Sequence, residues 1–151
     1  MGIIRGQGAT EYLVLLAVVL IVALVSVALL GFFPGMASDA RIAQSQSYWR
    51  GQARPFAILE NSCATTGNCT LSIQNMEANG PYTITNFGIN LGANTTSTVF
   101  AAGETKVMTV SIGTTGTAGA VYDYNVSITY TTPNSVSSKQ YGTKNMIGKF
   151  V

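Results

Sequence analysis

The sequence predicts an α+β protein, a long N-terminal hydrophobic α-helix followed by a small antiparallel β-sandwich head, lollipop-shaped in outline. Two observations predict it. Residues 12 to 33 read YLVLLAVVLIVALVSVALLGFF, a charge-free run broken only by Ser26 and Gly31. From about Pro55 onward, short apolar runs instead alternate with Thr, Ser, Asn and Gly at a period of two, the pattern of strands and turns. The composition, 47% hydrophobic and 9% charged against about 25% charged in an average soluble domain, averages these two unlike parts.

The chain starts with a short basic leader, Met1 to Gly6, then Gln7-Gly8-Ala9-Thr10-Glu11-Tyr12. A carboxylate abutting an apolar run is costly if carried inward, so Glu11 needs a partner. If the chain were cut between Gly6 and Gln7, the new α-amino group would lie one helical turn before Glu11, where it, or its counterpart on a neighbouring subunit, could neutralise the acid. As a helix, residues 12 to 33 would be about 33 Å long, enough to cross a bilayer core of about 30 Å. Three readings fit the run taken alone: a cleaved secretory signal with Gly35-Met36-Ala37 as its site, a plain membrane anchor, or an assembly helix. The first is disfavoured because signal h-regions are only about 7 to 15 residues long and because Glu11 opposes the usual basic flank. Neither of the first two explains residues 7 to 12.

Gln7-Gly8-Ala9-Thr10-Glu11-Tyr12-Leu13, set hard against an uninterrupted apolar helix, resembles the class III signal peptide of archaeal type IV pilins, with its Gln-Gly-x-x-Glu-Tyr pattern. The resemblance covers the first 30 or so residues of the chain. It implies that a prepilin peptidase cuts between Gly6 and Gln7, that the chain sits N-in, C-out in the cell membrane beforehand, and that the apolar helix is retained. Mature subunits would then form a helical homopolymer at the cell surface that serves adhesion, with Gln7, Glu11 and Tyr12 at the assembling end. Bacterial tight-adherence pilins share the layout but generally lack a head of this size, and archaeal flagellins have a different junction.

Pro34-Gly35 follows the apolar run and predicts a kink or local melt near residues 34 and 35. Residues 36 to 50, MASDARIAQSQSYWR, are rich in helix formers and predict a second helical segment continuing the first, so that helix spans 7 to 50. Tyr48 and Trp49 lie too far past the apolar run for a membrane-interface belt in a straight helix and are expected to pack on the head.

The head is expected over residues 55 to 151. Its clearest strand is Val121 to Tyr130, with Tyr122, Tyr124, Val126, Ile128 and Tyr130 on one face. Further strands are read at Phe56 to Glu60, Leu71 to Met76, Tyr82 to Phe87, Ser97 to Ala101, Thr105 to Ile112 and Val136 to Tyr141. Residues 113 to 119, GTTGTAG, have neither the lysine nor the following helix of a phosphate-binding loop and read as a mobile loop. Cys63 and Cys69 flank ATTGN and are expected to form a small-loop disulfide. Three sequons, at Asn68, Asn94 and Asn125, are candidate glycosylation sites, with Asn94 the favoured one.

Charge and residue usage exclude several functions. There are 8 Lys+Arg against 6 Asp+Glu, without a basic run, so the footprint of a nucleic-acid binder is missing. With no histidine and two cysteines the chain lacks the commonest general base and zinc ligand, and its scattered acids form no catalytic pair. The expectation is a non-enzymatic protein without cofactor or metal. The rival class is a membrane-anchored extracellular β-domain that binds a glycan or partner without polymerising.

Overall fold

The computed structural model describes residues 7–151. The chain is an α+β protein, with one long apolar N-terminal helix, α1 (Gln7–Gly51), followed by ten antiparallel strands. It divides into two compact units at Asp39/Ala40. The boundary falls inside α1, upstream of residue 55 where the sequence pattern changes, because the last turns of the helix pack with the strands.

The described residues of the first unit are helix alone. α1 is assigned without interruption through Pro34 and Gly35, where the sequence suggested a kink or melt and a second segment. A proline removes one helical hydrogen bond, and the turns on either side keep theirs. None of residues 8 to 31 is buried, and Ser26, the one serine within the apolar run, donates to Val22 O at 2.7 Å, so its hydroxyl is not an unsatisfied donor.

The second unit holds β1 (Phe56–Cys63), β2 (Asn68–Asn75), β3 (Tyr82–Ile89), β4 (Gly92–Asn94), β5 (Thr98–Phe100), β6 (Thr105–Ser111), β7 (Val121–Tyr124), β8 (Val126–Thr131), β9 (Ser137–Tyr141) and β10 (Met146–Lys149). They form a three-stranded sheet β1-β2-β6, a two-stranded sheet β10-β7, and a larger sheet β4-β3-β8-β9 in which β5 also pairs with β3. Inward side chains of all three sheets meet in one core built around Phe56, Phe87, Phe100, Leu71, Ile73, Ile84, Ile89 and Ile128, all fully buried. Phe56 sets its ring edgewise against Phe100, Tyr82 and Tyr130, joining the first sheet to the third.

Strand positions follow the period-two reading, with two differences. The segment Val121 to Tyr130 is two strands rather than one, divided at Asn125 and paired in different sheets: β7 with β10, β8 with β3 and β9. Tyr122, Tyr124, Val126 and Ile128 all stay buried across the division, so the inward alternation survives the change of sheet. The strands β4 and β10 are the second difference. β10 carries Gly148 at a position where a Cβ would fall 2.3 Å from the Tyr122 hydroxyl oxygen, so a residue that argues against a strand is the one that lets β10 pass over this ring.

The free edge of β1 is closed by side chains. The buried Gln140 amide accepts from Phe56 N at 3.0 Å and donates to Phe56 O at 2.9 Å, standing in for a paired strand. Arg50 Nε donates to Leu59 O at 2.6 Å beside the bulge between Ile58 and Glu60.

Candidate assembly segment and the helix seat on the head

Gln7 heads α1, and Glu11 follows one turn later in the helix. Gly6 and the leader lie outside the described residues. Glu11 borders a shallow depression with Thr10, Val14 and Leu15, a carboxylate among apolar neighbours. Exposure is high on consecutive residues, from Tyr12 at 66% to Leu24 at 70% and Leu30 at 70%, so the segment has no covered face. A helix apolar all round has no wet side, and its stable environment is lipid or the interior of a helix bundle. It is long and apolar enough to cross a membrane.

At its other end α1 is seated on the strands, as expected for Tyr48 and Trp49, by a stripe whose polar members, Arg41 and Ser45, the sequence reading missed. Arg41, Ser45, Tyr48 and Trp49 recur at four, three and one, one face of a helix in mixed polar and apolar form. Ser45 Oγ donates to Asn145 O at 2.7 Å and accepts from Ile147 N at 3.0 Å, so one buried hydroxyl caps the outer edge of β10. The Tyr48 hydroxyl accepts from Thr143 N at 3.1 Å. Arg41 pairs with Asp123, whose other oxygen accepts from Asn145 Nδ2 at 2.7 Å. Trp49, 2% exposed, lies under Gly142, where a Cβ would come within 2.3 Å of its ring. The signal was the helical spacing itself, hidden because the residues at it are mostly polar.

Cys63 and Cys69 are joined in a disulfide and sit directly opposite each other at the end of the β1–β2 pair. The sequons differ in their surroundings. Asn68 and Asn125 are exposed, whereas Asn94 is half-buried, its Oδ1 accepting from Thr96 N and its Nδ2 donating to Thr109 O, both at 2.8 Å. That second bond ties β4 to β6 and engages one of the two hydrogens on the nitrogen a glycan would join. Among the described residues no group of three or more Cys, Asp or Glu side chains is placed to hold a metal.

Two tyrosines of the head are perturbed by burial, which holds the Tyr122 and Tyr124 phenols above the ordinary tyrosine range. The Asn61 amide donating to Tyr122 at 2.6 Å pulls Tyr122 the other way, and burial prevails. The folded chain therefore keeps these protons to higher pH than the unfolded chain does. Stability is full below the ordinary tyrosine value of about 10 and falls as pH rises beyond it. Thermal melts across that range are expected to show a declining midpoint, with a shallower decline for Tyr122→Phe; equal slopes in both proteins would contradict the assignment. Glu104 is held below the usual carboxylate range, first by the Ala101 N–H at 2.7 Å and then by Lys106.

No protein-family model and no curated protein matches this chain.

Proposed function

We propose that the chain is the precursor of a structural subunit of an archaeal type IV pilus-like surface filament that serves surface attachment. The observation that supports this best is the joint placement of Gln7 and Glu11 on the first turns of a helix that is charge-free and apolar on every side for more than twenty residues. A prepilin peptidase removes Met1 to Gly6, the helix is kept, and helices of many subunits bundle as the filament core. Moving a Leu/Val/Ile helix from lipid to a bundle of identical helices changes its hydrophobic free energy little. Helix packing and the neutralisation of Glu11 then decide the register, the partner being the Gln7 α-amino group of the same or a neighbouring subunit.

The mass of the mature protein tests this. A start at Gln7 is expected; retention of Met1 to Gly6 would favour a plain anchor, and a start at Ser38 a secreted domain. Filaments seen by negative stain and lost on deletion of residues 7 to 33 would separate the pilin from the tethered binding domain. Hydroxyl-rich strands with scattered charges give a water-facing surface that suits the exposed side of a filament. Glycosylation belongs to the same proposal, and the geometry directs it to Asn68 and Asn125 rather than Asn94. Glycopeptide mapping of the native protein is expected to find Asn125 occupied, and occupancy confined to Asn94 would contradict that order.

A further inference from the structure

Phe150 and Val151 form a strap bonded to the backbone beside the disulfide. Both cysteines are fully buried. Val151 N donates to Cys63 O at 3.0 Å and Val151 O accepts from Thr65 N at 3.1 Å, so the residue pairs with the backbone on both sides of Ala64. On its other side the strap is tied to the end of the glycine-rich loop: Phe150 N donates to Ala120 O at 3.0 Å, and Gly119 N donates to Phe150 O at 2.9 Å. The Phe150 ring is buried 5.2 Å from Tyr122 and rests on Gly116, where a Cβ would come within 2.4 Å of it. The loop expected to be mobile is bonded to the disulfide hairpin as well, through Gly116 N to Thr65 O at 3.0 Å and Ile112 N to Gly67 O at 2.8 Å.

We propose that Phe150–Val151 is a protective strap that gates reduction of the Cys63–Cys69 disulfide, so that a dithiol reaches the sulfurs only when the strap lifts. The chemistry is thiol–disulfide exchange. A thiolate of the reductant attacks one cysteine sulfur and expels the other as a thiolate, which takes a proton; the second reductant thiol then resolves the mixed disulfide. The cysteines gain two electrons and two protons, and the dithiol becomes a disulfide. The rate-limiting event is local opening of residues 150 and 151, a motion smaller than unfolding of the head. The inference does not depend on the filament reading, because it concerns the head alone.

The test is the rate at which dithiothreitol reduces the full-length chain in detergent, followed by alkylation of the freed thiols and mass spectrometry. Phe150→Ala and Gly116→Ala, which remove or displace the ring, are expected to raise the rate by about tenfold or more, the factor given by weakening closure by about 1.4 kcal/mol. Phe87→Leu, which perturbs the buried core at β3 without touching the strap, is expected to leave it unchanged. An unchanged rate in folded Phe150→Ala, or an equal rise in Phe87→Leu, would overturn the proposal, the latter by showing that the sulfurs are reached through general unfolding. Should Phe150→Ala not fold, Phe150→Leu and amide exchange of the wild-type protein decide it. Exchange at Thr65 and Val151 must be at least as fast as reduction, and slower exchange there refutes the strap.

Discussion

Glu11→Val is expected to leave cleavage before Gln7 largely intact and to abolish incorporation into filaments. In the proposed bundle the carboxylate and its partner would be withdrawn from water together. Removing one member of a desolvated pair costs about 3 to 5 kcal/mol, which is two or more orders of magnitude in the equilibrium for adding a subunit. In the membrane before assembly, the same substitution extends an already apolar helix and costs nothing comparable. Glu11→Gln separates charge from hydrogen bonding, since the amide retains the bond but loses the ion pair. Recovery of part of the incorporation by Gln but not by Val would show that hydrogen bonding contributes beside the charge. The measurements are the mass of the cell-associated subunit and the yield of sheared filaments. Normal filaments from Glu11→Val would defeat the role given to this residue.

Trp49→Ala should be the most damaging single change to the head. Deleting a fully buried large aromatic typically costs about 3 to 5 kcal/mol, from lost burial and the cavity left behind. A domain of this size holds roughly 5 to 15 kcal/mol in total, so the loss takes up much of its stability. The ring packs edgewise on Tyr48 at 5.2 Å and under Gly142, between the last turns of α1 and the β9–β10 connection. Its removal is expected to loosen the helix seat as well as the core. Trp49 Nε1 is buried with no hydrogen-bond partner among the described residues, a burden of about 1 to 3 kcal/mol on the native protein. Trp49→Phe and Trp49→Ala both remove that orphan, but the phenylalanine keeps most of the buried ring, so its loss should be clearly smaller than that of the alanine variant. Urea titrations of the full chain in detergent, followed by circular dichroism because Trp49 is the only tryptophan, will show it. Equal losses for the two variants would mean that the ring retained by phenylalanine recovers none of the packing at this site, and would contradict its role in the helix seat.

How far the sequence could be read depended on the range of the interaction concerned. The exposed helix needed nothing but composition, because no residue between Gly8 and Gly31 depends on a tertiary contact for its environment. The inward faces of Tyr122, Tyr124, Val126 and Ile128 were equally legible, since alternation is a property of the local backbone. Pairing partners were not: nothing in VYDYNVSITY says that its first half joins β10 and its second half β3, a choice made by residues about twenty ahead and forty behind. The sequons show the same limit. Asn94 looked most open in its polar stretch, and a strand distant in sequence supplies the Thr109 carbonyl that holds it.

The sequence alone determined the membrane-competent helix, its acidic start at Glu11, the strand periodicity of the head and the pairing of two cysteines six residues apart. These are local properties, fixed by hydropathy, helical spacing and the short loop between the cysteines. Only the tertiary structure decided that Arg41 and Ser45 join Tyr48 and Trp49 in the helix seat, that Ser45 and Gln140 close two strand edges, and that Phe150–Val151 is bonded to the backbone beside the disulfide. Each of those is a hydrogen bond or ring contact between segments about eighty or more residues apart in at least one of its partners, and a polar residue's partner is set by where the fold brings the chain together.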